Sequence, residues 1–245
     1  MRFPVPSAIA AVTALLVSVV GGSRDADPHR FQTSLVDAPS LLLHVTLGND
    51  ISIHGQAAFD IFVRPVVSTD KTSVRYDGAT TIIEGDKRFT YKLVDGAGYL
   101  VTTFGDKKTS AAGKTVACLS NISPFDLILP ALNNASVIPT KTHAWKSMKC
   151  PSQHLLRSFY RGMDLVLCPV GSSGATGLGT IEWGGQVIDV AVAVEYLPSH
   201  IRSLTAPVLG DESAPCSIQI LPTSVTPTTL ALLTGKVIEP TASIG

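Results

Sequence analysis

The alternation between Thr80 and Phe104 constrains this chain more than any other feature of its sequence. Phe89, Tyr91 and Leu93 alternate with Arg88, Thr90 and Lys92. That period of two belongs to a half-buried strand and not to a helix. Asp95-Gly96 follows, a two-residue hairpin signal because both positions accept positive φ. Folding the chain there sets Tyr91 opposite Leu100 and Leu93 opposite Gly98. Arg88, Thr90 and Lys92 then face Thr103, Val101 and Tyr99 on the other side. A second turn at Gly85-Asp86 puts Ile82 beside Phe89 and pairs Glu84 with Lys87 across strands. The stretch is a three-stranded antiparallel meander with one apolar face, and something must cover that face.

The chain has material for the cover. Of its 245 residues 45% are hydrophobic and 16% charged, which suits one large β domain or two small ones. Lys+Arg 19 balances Asp+Glu 19, so no broad electrostatic footprint favours nucleic acid or an anionic membrane. Residues 1–22 read as a secretory signal peptide, with Arg2 in the n-region, Ala8–Val20 as the apolar run and small residues at Ser18, Gly21, Gly22 and Ser23. The run is short for a membrane span, and an uncleaved anchor is the alternative. Without this leader, 18 basic residues stand against 19 acidic ones. No later segment is long and apolar enough to span. The expected location is therefore extracellular, or periplasmic in a bacterium. Cys118, Cys150, Cys168 and Cys216 fit an oxidising compartment as two disulfides. Three connectivities are open, and shorter loops favour Cys118–Cys150 with Cys168–Cys216. Asn121 and Asn134 begin glycosylation sequons, the first followed closely by Pro124.

Other stretches carry the same reading. Asp25 to Pro39 holds a short amphipathic piece with Phe31, Leu35 and Val36. Leu41 to Val63 reads as a hairpin with Gly48-Asn49-Asp50 as its loop. That register aligns Leu47 with Ile51 and Val45 with Ile53, and sets His44 opposite His54. Two histidines without a third ligand make a polar pair and not a metal centre. Arg64-Pro65 interrupts the pattern. Val74–Tyr76 is extended, Asp77-Gly78 turns the chain, and Lys114–Cys118 adds a strand after the meander. Ser123–Leu132 is a short apolar helix with Ser123 as N-cap and Pro124 at N1, shortened or kinked by Pro130. His154–Phe159 and Met163–Cys168 flank an Arg161-Gly162 turn. Gly171 to Gly179 reads as a flexible loop, lacking the lysine and helix of a phosphate cradle. Ile181–Trp183 and Gln186–Tyr196 flank Gly184-Gly185. There Ile188, Val190, Val192, Val194 and Tyr196 make a face that must be buried. Residues 24–222 thus read as a single β domain, and Thr223 to Gly245 as a flexible Thr/Pro-rich tail.

The order of these features resembles the LolA/LolB and LppX-like lipoprotein carriers. The resemblance lies in Gly55, then Phe59-Asp-Ile-Phe-Val-Arg64-Pro65, then Val74-Arg75-Tyr76, then Lys92-Leu-Val-Asp95-Gly96-Ala-Gly-Tyr99, and it covers about Phe31 to Phe104. It implies a mainly β, α+β fold: a curved antiparallel sheet, or half-barrel, with helices on the concave face and an apolar space for acyl chains between them. It also implies that Arg64, before the proline, latches the lid. The long connection Val66–Ser73, the four cysteines and the sequons depart from the family's pattern.

Three functions follow from this reading. The first is a binding or carrier protein for a lipid or another apolar molecule, with Phe59, Ile61, Phe89, Tyr91, Leu100, Phe125, Ile128 and Leu129 lining the space. It needs no cofactor, no metal and no covalent chemistry. The second is an exported adhesion or interaction module with a filled β-sandwich core. The third, an enzyme, lacks a signature: the sequence contains no G-x-S-x-G elbow, no H-E-x-x-H and no evident carboxylate pair at a strand end.

Overall fold

Alternation runs through most of the chain because successive side chains of a strand point to opposite faces. The computed structural model describes residues 34–48, 50–105, 113–120, 122, 127–139, 150, 154–169, 174–183, 185–210 and 214–235. The expected leader, Asn121 and Phe125 lie outside the described residues. Strands β1 (Leu41–Leu47), β2 (Ala58–Val67), β3 (Ser73–Glu84), β4 (Lys87–Val94), β5 (Ala97–Phe104) and β6 (Gly113–Cys118) form one meander. Strands β7 (Ser136–Pro139), β8 (His154–Tyr160), β9 (Met163–Pro169), β10 (Gly174–Trp183) and β11 (Gln186–Tyr196) form a second. The two join where β1 pairs with β11, giving the order β6-β5-β4-β3-β2-β1-β11-β10-β9-β8-β7. Every neighbouring pair is antiparallel. The sheet is curved and unclosed.

Leu41, Leu43 and Ile61 have no exposed surface at all, and Val45, Val63, Val190 and Val192 are buried with them. These residues belong to one cluster that runs along a single face of the sheet through both meanders. Burying each such side chain stabilises the fold by roughly 1.5–3 kcal/mol. Two short helices and a 3-10 turn share the cluster. Helix α1 (Ile128–Asn133) contributes Ile128, Leu129, Ala131 and Leu132. Helix α2 (Pro227–Thr234) contributes Leu232 and Leu233, and the turn Leu35–Asp37 contributes Leu35. Val36 of that turn points outward.

The meander has the expected register. Tyr91 pairs with Leu100, Leu93 with Gly98, Ile82 with Phe89 and Glu84 with Lys87. Asp95 and Gly96 both adopt positive φ, 52° and 79°. The Arg161-Gly162 turn, the β10–β11 hairpin and the inward face of β11 also agree with the sequence reading.

Several expectations fail, each for a physical reason. β1 pairs Val45 with Phe59, not with Ile53, a slip of six residues. An even slip keeps every side chain on its face, so alternation could not detect it. Residues 50–57 form a folded loop in place of a tight turn. β2 runs through Pro65 because the β1 ladder has already ended at Leu41–Val63. The connection to β3 is tight: the Ser68 N–H donates to the Ser73 carbonyl at 2.9 Å, and the Ser73 N–H donates to Ser68 Oγ at 3.0 Å. Asp77-Gly78 lies inside β3, not in a turn. The glycine-rich stretch is strand from Gly174. A Cβ at Gly177 would meet Leu167 Cδ2 at 2.8 Å and one at Gly179 would meet Asp164 O at 2.5 Å. Helix α1 begins at Ile128, so Pro130 sits in the first turn, where its missing N–H has no partner to lose. The disulfides are Cys118–Cys216 and Cys150–Cys168.

The expected tail is structured as far as Gly235. Thr223-Ser224 forms β12 on β3, where the β4 pairing has ended. Thr226 caps α2, with its hydroxyl accepting from the Thr229 N–H at 3.2 Å, and Gly235 closes it with a φ of 70°. The Tyr196 hydroxyl donates to the Leu232 carbonyl at 3.0 Å.

Residues 197–210 and 214–222 carry no helix or strand, and part of this segment packs on the other face of the first meander. Leu204, Ala206 and Cys216 pack on Val94, Ala97 and Tyr99, and Lys92 donates to the Thr205 carbonyl. This strap is held at its far end by the Cys118–Cys216 bond. Gln219 accepts from the Ile122 N–H at 3.2 Å and donates to the Leu119 carbonyl at 2.7 Å. Gly96 must be glycine there, since a Cβ would lie 2.1 Å from the Ile220 carbonyl oxygen.

Leu232→Ala should lower unfolding free energy by about 2–5 kcal/mol in urea melts. Wild-type stability in that variant would mean that α2 is not docked. A non-reducing peptide map should link Cys118 to Cys216 and Cys150 to Cys168. At the β2–β3 turn, hydrogen bonds from Ser68 and Thr72 hold the Asp70 carboxyl down at about 2, from an ordinary 3.8. A depressed carboxylate stabilises above its unfolded pKa and loses that contribution as pH falls through the folded value. Between pH 4 and pH 2, Asp70→Asn should therefore lose less stability than the wild type.

Candidate functional site

The apolar face brings together most of the residues that the sequence singles out as lining. Phe59, Ile61, Tyr91, Ile128 and Leu129 are buried in one cluster, with Phe89 and Leu100 partly buried against it. They come from β2, β4, β5 and α1, so the grouping is a product of the sheet's curvature. Arg64 is not among them. It alternates with the buried Val63 and Pro65, which places it on the opposite face, and among the described residues no hydrogen bond or ion pair joins it to a helix. Asn134 is exposed at the end of α1, its side-chain amide donating to the Pro130 carbonyl at 3.1 Å.

His44 and His54, expected as a cross-strand pair, lie apart. His44 Nδ1 is 2.7 Å from Asp60 Oδ1, and its Nε2 is 3.8 Å from Glu195 on β11, all on the exposed face. His54 instead tips the β1–β2 loop. His54-Gly55 is a two-residue turn with φ of 49° and 76°, closed by reciprocal hydrogen bonds between Ile53 and Gln56. A His-Gly dipeptide between Ile53 and Gln56 was the available signal for it.

That loop folds back on the end of the β3–β4 hairpin. The His54 ring stacks on Phe89 with centroids 3.6 Å apart and planes 8° from parallel. Its Nδ1 is 3.0 Å from Glu84 Oε2 and its Nε2 is 2.8 Å from the Tyr91 hydroxyl. Only 7% of its side chain is exposed. A neutral imidazole satisfies both contacts, with Nδ1–H donating to the carboxylate and Nε2 accepting from the phenol. Burial, reinforced by the Glu84 charge, pushes Tyr91 well above the ordinary phenol range. Tyr91 thus stays protonated and is placed to donate to His54. The triad clasps a loop to the sheet.

Two further polar groups mark β3. On the outer face, burial pushes the Asp77 carboxyl up, opposed by the Asp95 N–H that donates to it at 3.1 Å and by Arg75. Arg75 also pairs with Asp95 across the turn. On the inner face, Tyr76 is buried in the apolar cluster and its hydroxyl has no hydrogen-bond partner. Burial raises its pKa far above the ordinary phenol value, so it stays protonated. The alternation of β3 announces that Tyr76 faces inward, but only the packing shows its hydroxyl alone. Among the described residues, no group of three His, Cys, Asp or Glu side chains is arranged to hold a metal ion. No helix of the described residues is long and apolar enough to cross a membrane.

His54→Ala removes a stack and two hydrogen bonds, and should cost about 2–3 kcal/mol in equilibrium unfolding. Tyr91→Phe should cost about 1–2 kcal/mol, since it leaves a nearly buried imidazole nitrogen without its donor. If both variants melt like the wild type, the loop is not clasped in solution.

Compared with family models, curated proteins and solved structures, the chain matches none.

Proposed function

We propose that this protein is an exported carrier for a lipid or another apolar molecule, held between the curved sheet and its short helices. The observation that carries the reading is an unclosed sheet whose inner face is largely apolar through both meanders, while its helical cover among the described residues is small. Helices of six and eight residues are only about 9 and 12 Å long at ~1.5 Å per residue. Eleven strands in sequence at ~4.8 Å spacing span roughly 48 Å. An acyl chain extends the cover over an apolar face without any specific polar chemistry, and its affinity follows the area removed from water, at roughly 25 cal/mol per Å². The leader-like residues 1–22 and the two disulfides support export.

A second reading, an exported interaction module with a filled core, is favoured by one observation. Leu41, Leu43 and Ile61 have no exposed surface. In this reading the partner is a protein or glycan on the outer surface, where Phe159, Val208 and Leu221 are 66%, 85% and 70% exposed.

Organic extraction of the purified full chain should yield acyl compounds, and the stripped protein should take up a fluorescent fatty acid. A clean extract together with no uptake would discard the carrier and leave the filled-core module.

A further inference from the structure

We propose that the Tyr76 hydroxyl is the polar anchor of the inner face, and that it selects a ligand bearing a neutral acyl carbonyl, an ester and not a free carboxylate. The inference rests on the carrier reading and adds the ligand's chemistry to it.

Buried polar atoms are nearly always paired, so an orphan among apolar side chains asks for an explanation. Several other buried hydroxyls of this face and its borders are committed. Thr80 donates to the Asp60 carbonyl at 2.6 Å, and Ser158 donates to the Ala131 carbonyl at 2.5 Å. Thr229 pairs with Thr226 at 3.0 Å, and Tyr91 with His54. Among the described residues only Arg75 Nε and the Tyr76 hydroxyl are buried side-chain polar atoms without a hydrogen bond. Arg75 Nε lies 3.5 Å from Asp77 and is compensated by its charge. Tyr76 is left alone.

Its surroundings say what it accepts. Tyr76 stands across from Pro65, which brings no side-chain donor, and two residues from Val74, where β12 joins. It remains a protonated donor, and a donor is completed by an acceptor oxygen. A carboxylate oxygen is disfavoured because no cation neutralises it there: Lys87, the inner-facing cation of β4, stands opposite Glu84 at the far end of β3. Asp77 is the one buried charged residue among the described ones, and it lies on the opposite face. Along the inner side of β3 the next charged group, Glu84, is eight residues on, about 27 Å away at ~3.4 Å per residue. An ester carbonyl supplies the acceptor with no charge, and its alkyl chain runs on along the apolar face.

The test uses the delipidated full chain carrying a fluorescent apolar reporter, displaced by methyl palmitate, palmitate or hexadecane. Wild type should prefer the ester to both others. Tyr76→Phe should weaken methyl palmitate about tenfold, the range of a single hydrogen bond, and leave hexadecane unchanged. Without ligand, Tyr76→Phe should melt at or above the wild-type temperature, since it removes an unsatisfied group. An unchanged ester preference in the variant overturns the anchor and spares the carrier. So does a lower melting temperature of the empty variant, which reveals a water or protein partner on the hydroxyl. Failure of all three compounds to displace the reporter from wild type overturns the carrier and the anchor with it.

Discussion

The pairing of β1 with β11 is the contact on which the rest of the molecule depends. Leu41 meets Tyr196 and Leu47 meets Val190, joining the first strand of one meander to the last strand of the other. Each meander by itself is a sheet with one apolar face and two open edges. Joined through this ladder they become one curved surface, and the faces of β1 and β11 bury each other's neighbours. The link is non-local, so the entropy of closing a long loop opposes it until the apolar face is covered. Pairing and burial must therefore come together, which makes the inner face both the core and the reason the strands meet where they do.

The outer face is held by different means. The strap after β11 covers the first meander with few apolar residues, so it is tied covalently at Cys118–Cys216 and by the two hydrogen bonds of Gln219. Cys150–Cys168 lies on the second meander, beside the small buried group of Leu155 and Val166. The edges are blunted as well. β7 is four residues long and ends in Pro139, and β6 carries Lys114.

Polar groups divide along the same lines. On the outer face Asp77, Arg75 and Asp95 form a partly buried charged group, and His44 joins Asp60 to Glu195. On the inner face polar atoms are few and nearly all paired. The His54 clasp closes one end of β3–β4, while Tyr76 sits towards the other end with its hydroxyl unspent. The clasp explains why a histidine tolerates a left-handed backbone, which opposes it by roughly 1–2 kcal/mol: the stack on Phe89 and two hydrogen bonds offset it.

What the amino acids determined by themselves was local: which residues face inward along each strand, and where Asp95-Gly96 and Arg161-Gly162 turn. Side-chain period and positive φ are properties of a few neighbouring residues, so no distant information is needed. The tertiary structure alone decided the β1–β2 register, the cysteine partners, the docking of α2 and the meeting of His54 with Tyr91. Asp77-Gly78 and Asp95-Gly96 show the division most plainly. The same dipeptide runs straight in β3, where strands pair on both sides of Gly78, and turns after β4, where the strap closes over Gly96. Alternation is blind to an even slip of register, and a cysteine carries no mark of its partner. Both were settled by the arrangement that buries the most apolar surface at once, a quantity that belongs to the whole chain.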